Sequence, residues 1–276
     1  MQFTKVSILI NPRVRVPYFI GSQLRGAFGY ALKKVTCINP SFQCKECFAA
    51  NNCLYYSFYE QKNSFHKYRL DFELGYDYYD FSFYLFNDAC KRLPYVVSAL
   101  HMMLTQLGLG KERVTFTDFT MYINDISCMD NKEIKLPKNY INTLHIDDIY
   151  ESISVELVTP LRIKKNNIFL RDDHLELKDL INSIYQRQMK LLNQGYKKFP
   201  YDIQGDIVTK DINYKELTRL SNRQKTTMNL GGIIGKIEVK NLNKESYEVL
   251  KVGELIGVGK QTVFGLGKIR VKEIYE

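Results

Sequence analysis

Three sets of side chains have types and spacings from which chemistry can be argued. The first is Gly257-Val258-Gly259-Lys260-Gln261-Thr262-Val263-Phe264-Gly265-Leu266-Gly267-Lys268. No G-x-x-x-x-G-K-[ST] pattern fits it, which excludes a nucleotide-binding P-loop. It is not a dinucleotide fingerprint either, because Thr262 and Arg270 stand where a third glycine is needed. Its two Gly-x-Gly segments lack Cβ atoms, so a phosphodiester chain could approach the backbone N–H groups, with Lys260 and Lys268 adding charge. Five glycines between 253 and 267 exceed the need of one turn, which favours phosphate contact over a bare turn.

The second set is Cys37-x6-Cys44-x2-Cys47-x5-Cys53. A Cys-x2-Cys pair can chelate one ion, and the outer thiols would complete a tetrahedral site for zinc or an iron–sulfur cluster. The expectation is a structural metal knot over 37–53. The alternative is four reduced thiols in a loop. Cys90 and Cys128 read as small buried residues. The third set is the four histidines. His101 lies in an apolar helical run and His174 in a first helical turn, whereas His66 and His145 stand where a cleft between domains could receive them.

Elements must position these groups. Residues 3–10 alternate as a strand. Leu24, Ala27, Phe28, Ala31, Leu32 and Val35 form one stripe of a helix capped by Ser22. Strands are expected at 65–74, 80–86 and 113–123, with a helix between Asp88 and Gly108. The second half repeats this order. A strand at 152–158 leads into a hairpin through Lys164–Asn167. A helix opens on a capping box of Asp173 and Glu176 and runs to Gly195. Strands near 212–220 and 231–239 precede a helix at 244–252 that ends at Gly253, and 263–271 is the last strand. Two β-α-β-β-α-β units make the predicted fold α+β, two tandem ferredoxin-like (RRM-like) domains over 1–145 and 146–276. The 37–53 segment is an insertion in the first, and the glycine loop 253–267 belongs to the second.

The chain has 276 residues, 39 basic and 30 acidic, for a net charge of +9, with 20 Tyr, 16 Phe and no Trp. Residues 1–150 carry +3 and 151–276 carry +6, so the excess favours the half with the glycine loop. A basic chain rich in aromatic rings points to RNA. The strand aromatics Phe81 and Phe83 are explained equally well by a packed core. The apolar run at 6–10 is too short for a signal segment, and Leu93–Gly110 is too polar for a membrane span. A cytoplasmic protein without membrane partners is expected.

The glycine loop resembles the signature of the CRISPR-associated endoribonucleases of the RAMP superfamily, which cut repeat RNA into guide RNAs. Gly21-Ser22-Gln23-Leu24-Arg25-Gly26-Ala27-Phe28-Gly29 resembles their first-helix motif, and Leu93-Pro94-Tyr95 and Gly108-Leu109-Gly110 the segments around their second helix. Thr159-Pro160-Leu161-Arg162 resembles the hairpin opening their second domain. Ser221-Asn222-Arg223-Gln224 and Gly231-Gly232-Ile233-Ile234-Gly235 resemble their middle strands.

The resemblance implies binding of CRISPR repeat RNA and its metal-independent cleavage by 2′-OH attack, leaving a 2′,3′-cyclic phosphate. It implies guide RNA and other CRISPR-associated proteins as partners and no catalytic cofactor. Tyr30 and Gly257 stand where many members carry histidine. Tyr30, flanked at i+3 and i+4 by Lys33 and Lys34, is a substitute base, because nearby cations favour a phenolate. The catalytic candidates are therefore Tyr30, Lys33, His66 and Lys260. The RNA-binding candidates are Arg25, Lys34, Arg162, Lys164, Arg223, Lys225, Gly257, Gly259, Gln261, Gly265, Gly267 and Lys268. Two alternatives stand beside this: a non-catalytic RAMP subunit holding guide RNA, and a metal-knot RNA-binding module outside CRISPR systems.

Overall fold

The structure, a computed structural model, describes the chain except residues 12–13, 63, 131–132, 166, 222–225 and 275–276, and the side chains of 220, 221 and 226. The chain divides into two compact units, Met1–Thr143 and Leu144–Glu276.

The first unit runs β1 (Gln2–Ile10), α1 (Gly21–Thr36), β2 (Tyr68–Asp71), β3 (Asp80–Phe86), α2 (Leu93–Met102) and β4 (Phe119–Ile123). These strands pair antiparallel in the order β2-β3-β1-β4, and short strands at Ile126–Ser127 and Asn142–Thr143 extend the sheet beside β4 and β1. The side-chain period of two decides which face is buried. Val6 lies opposite Phe83 and Ile8 opposite Phe81, and all four are at most 2% exposed. On α1 the buried positions are Leu24, Phe28, Ala31 and Leu32, with the Phe28 ring 4.5 Å from that of Phe83. The strand aromatics are thus core residues.

The second unit runs β5 (Ile153–Leu161), α3 (Leu177–Leu191), β6 (Asp206–Lys215), β7 (Gly232–Lys240), α4 (Lys244–Ile256) and β8 (Ile269–Glu273). Its antiparallel order β6-β7-β5-β8 repeats that of the first. Two small hairpins are added, Lys164–Lys165 with Ile168–Phe169 and Thr218–Ser221 with Thr226–Asn229.

Several boundaries differ from the sequence expectation for local reasons. Helix α1 begins one residue before Ser22, whose hydroxyl lies buried in the first turn and caps nothing. The capping box of α3 is Glu176 with Asp179, because the Asp179 carboxylate accepts the Glu176 N–H at 3.0 Å. Helix α4 starts at an Asn243 cap and continues through Gly253 to Ile256. Gly253 therefore sits inside the helix, where an added Cβ would lie 2.6 Å from Ile184 Cδ1 on α3. Its lack of a side chain serves the close packing of two helices. Only Phe119–Ile123 of 113–123 is strand.

The expected metal knot finds no support. Among the described residues no group of three or more His, Cys, Asp or Glu side chains is placed to hold a metal ion, and all six cysteines are free. The 37–53 segment is ordered instead around Asn39. Its amide donates to the Gln43 carbonyl at 3.0 Å and to Cys47 Sγ at 3.6 Å, and its side-chain oxygen accepts the Ser41 N–H and hydroxyl. The Cys37 thiol is turned to the Asn39 carbonyl. Cys37, Cys44, Cys47 and Cys53 are half-buried and outside any disulfide.

Purified protein is expected to keep its thermal midpoint after EDTA dialysis. Four thiols should react quickly with a maleimide, and Cys90 and Cys128 only on unfolding. Stoichiometric zinc together with four protected thiols would contradict this.

Candidate nucleic-acid interface

In the second unit, the glycine loop is bound along its length to the end of β5. Val258 N–H donates to the Gly267 carbonyl at 2.8 Å, Gly267 N–H to Pro160 at 3.1 Å, and Lys260 N–H to Arg162 at 2.9 Å. The Thr159 hydroxyl donates to the Gly265 carbonyl and accepts the Lys268 N–H, both at 2.9 Å. Two glycines make this approach possible. An added Cβ at Gly267 (φ +72°) would lie 1.8 Å from the Val258 carbonyl oxygen, and one at Gly259 (φ +76°) 2.5 Å from that of Arg162.

Gly257, Gly265 and Gly267 are buried, with N–H groups donated to Gly253, Thr262 and Pro160. The N–H of the half-buried Gly259 goes to Ser183 Oγ on α3 at 3.1 Å. These four N–H groups therefore hold the loop together instead of facing a ligand. Half-buried Gln261 takes the left-handed turn position, φ +69°, and accepts the Phe264 N–H.

This packing brings cations together. Helix α3 meets the loop through Ser183 and, one turn on, through Arg187, whose Nε donates to the Ile256 carbonyl at 2.8 Å. Lys190 follows Ser183 by seven residues, so it lies on the same helix face. Lys164, at the hairpin after β5, holds its ammonium 5.0 Å from the Phe169 ring. Burial, and then the like charges of Lys190 and Lys164, push the ammonium of exposed Lys260 below its ordinary range. Neighbouring Lys165 is instead neutralised by Glu176 at 2.5 Å. That contact, with Lys178, holds the Glu176 carboxyl down at about 2. Lys164 and Lys190, from two other elements, thus lie near enough for their charges to act on Lys260.

Not every basic candidate faces outward. Arg162 is 8% exposed. Its Nη1 donates to the Gly231 carbonyl, its guanidinium lies 4.3 Å from the Phe169 ring, and burial lowers its pKa. The side chain ties β5 to the start of β7, so the expected phosphate contact is replaced by a structural one. Half-buried Lys268 flanks β8, and Arg223 and Lys225 lie outside the described residues.

In the first unit, Arg25 turns inward, its guanidinium 4.6 Å from the Tyr59 ring, while the Tyr59 hydroxyl donates to the Arg25 carbonyl at 2.7 Å. Gly29 admits that ring, since an added Cβ would lie 2.6 Å from it. The first-helix motif therefore seats the segment after the cysteine insertion and does not offer Arg25 to a ligand. Tyr30 is 53% exposed, with the Lys34 ammonium 5.3 Å from its ring. Lys33 sits elsewhere, 5.2 Å from both the Phe42 and Tyr55 rings. Half-buried His66 holds Nδ1 3.3 Å from the Ser57 carbonyl. His145 is exposed after the first unit, and exposed His174 pairs with Asp172 at 2.8 Å.

Residues 155–269 match the family model for the CRISPR-associated endoribonuclease Cas6. A second family model, AF_1859_N, an N-terminal domain, matches residues 1–120. An uncharacterized protein of Archaeoglobus fulgidus is 23% identical, the alignment covering 99% of this chain and 98% of that protein.

Two Cas6 product complexes match the fold with TM-scores of 0.58 and 0.57 at 15% and 12% identity, each covering 99% of this chain and 100% of the other. A Cas6 substrate mimic complex matches at 0.52 and 13% identity, covering 99% and 100%. The fold is Cas6-like. Lys164, Lys190 and Lys260 all lie within residues 155–269. Lys190 escaped the sequence reading because helical periodicity marks the buried stripe of α3 but not which polar residue turns toward a distant loop.

Gly267→Ala combines a left-handed backbone with a backbone clash, and is expected to cost roughly 2 kcal/mol or more. A thermal midpoint within a degree of wild type would contradict the loop packing described.

Proposed function

We propose that this protein is a two-domain RNA-processing endoribonuclease that binds CRISPR repeat RNA and cleaves it without metal. Its two units read as tandem ferredoxin-like domains over 1–145 and 146–276, given the shared element order and the 2-3-1-4 strand order of both sheets. The observation that supports binding is the glycine loop seated on the end of β5, which presents exposed Lys260 within reach of the charges of Lys164 and Lys190, in the segment that matches the Cas6 model. Ammonium groups brought together against their repulsion favour a polyanion, and a sugar–phosphate backbone supplies repeated charges at the needed spacing. Lys34 and Lys268 are proposed as further backbone contacts.

For the chemistry, Tyr30 is the proposed base. Its exposed hydroxyl, beside the Lys34 cation, would take the proton of the ribose 2′-OH. The 2′-oxygen then forms a bond to phosphorus, the P–O5′ bond breaks, and the departing 5′-oxygen takes a proton. His66 would supply that proton, and the Lys34 ammonium would stabilise the charge on the phosphorane. Lys33 does not fit as Tyr30's activator, because it lies between Phe42 and Tyr55. That divergence favours the second reading, a subunit that holds guide RNA without cutting it.

Repeat RNA incubated in EDTA separates the two. Cleavage is expected to leave a 2′,3′-cyclic phosphate and a 5′-hydroxyl, and Tyr30→Phe should slow it roughly a hundredfold or more if Tyr30 is the general base. Tight binding without product would support the guide-holding subunit. Affinity should fall steeply with salt, and Lys190→Ala should lower the slope of log affinity against log salt by about 0.7. A slope unaffected by Lys190→Ala would remove that residue from the interface.

A further inference from the structure

The cysteine-rich insertion presents a surface that the proposed cleavage chemistry does not use. Phe48 is 76% exposed, Ile38 71% and Phe42 41%. Phenylalanine is ordinarily among the most buried residue types, and these three exposed apolar residues all fall within residues 38–48 of the insertion. The backbone is held so as to present it. Phe42 adopts φ +57° and Glu46 φ +55°, left-handed conformations that cost a bulky side chain about 1–2 kcal/mol. Asn39 clamps that geometry through Ser41, Gln43 and Cys47, and its carbonyl accepts the Phe42 N–H at 2.9 Å.

Charge says what covers the surface. Between residues 30 and 55 stand Lys33, Lys34 and Lys45 against the single carboxylate Glu46. The Lys33 ammonium lies 5.2 Å from the Phe42 ring and the Lys34 ammonium 5.3 Å from the ring of exposed Tyr30. Flat apolar faces bracketed by cations match unpaired nucleotides, whose bases stack while their phosphates meet ammonium groups. An apolar protein partner would leave those cations unmatched.

We propose that Phe48 and Phe42 form a stacking platform for unpaired bases of the RNA, and that the insertion exists to present it. The platform rests on the reading of this protein as RNA-binding and adds single-strandedness to its substrate class at this site. Every base has a π-face, so the platform is sequence-tolerant and distinguishes single from double strands.

The chain contains no tryptophan, which gives a direct test. Phe48→Trp places one indole on the platform. Its emission should be quenched by single-stranded RNA and left unchanged by a duplex of the same sequence. Phe48→Ala should weaken single-strand binding about tenfold, with little change for duplex, and Phe48→Trp should retain wild-type affinity. Phe48 is exposed, so folding is not at stake, and circular dichroism checks it.

If Phe48→Ala binds single strands as wild type does while Lys190→Ala binds them more weakly, the platform is refuted and the RNA-binding reading stands. If wild type binds neither single strand nor duplex, the underlying reading fails with it. If Phe48→Ala leaves RNA affinity intact but abolishes binding of another CRISPR-associated protein, the surface is a protein interface and the proposal is overturned.

Discussion

The second unit depends on one close backbone approach, the seating of the 257–268 loop on the end of β5. Two chain segments pass so near each other that Gly267 and Gly259 have no room for a Cβ. The resulting hydrogen bonds from Val258, Lys260 and Gly267 fix the loop to Pro160 and Arg162 and to its own return. Ser183 and Arg187 lock the same loop to α3. The positions of Lys164 and Lys260 follow from this framework, and Lys190 shares the helix face that meets it. Net hydrogen-bond contributions are about 0.5–1.5 kcal/mol each, and together these bonds hold the loop in place. An anion at that point would remove the repulsion without changing the frame.

The glycines therefore act one step earlier than their spacing suggests. Read as a sequence, they offer naked N–H groups to a phosphate. In the structure Gly257, Gly265 and Gly267 are buried, and Gly253 belongs to a helix crossing. Their function is to position cations, which is also how Arg162 works. Its guanidinium would be costly to bury unpaired, and it is held by the Gly231 carbonyl and the Phe169 ring. The first unit repeats the pattern, with Arg25 and Gly29 seating Tyr59 so that the insertion is fastened to α1.

Much of the fold was legible because its signals are local. Alternation in 3–10 and 80–86 and the stripe from Leu24 to Leu32 each report a single element. The β-α-β-β-α-β order follows from their succession. Boundaries were less legible where a side chain's partner is distant in sequence. Gly253 looks like a helix stop until Ile184 is known to lie against it, and Ser22 looks like a cap until its hydroxyl is seen to be buried. The cysteine spacing suggested a metal, and the hydrogen bonds that Asn39 makes within that loop carry no such sequence signal. At the site, Lys164 and Lys260 could be named from the sequence. Lys190 could not, and the inward turns of Arg25 and Arg162 carry no sequence signal.

The central proposal is that Lys164, Lys190 and Lys260, within the segment that matches the Cas6 model, bind the backbone of repeat RNA. Ultraviolet crosslinking of repeat RNA to the intact protein, followed by mass-spectrometric mapping of the modified peptides, tests it most directly. Crosslinks are expected on the 162–169 hairpin and the 257–268 loop, and to disappear when excess unlabelled repeat RNA competes. Specific crosslinks that avoid both segments would contradict the account.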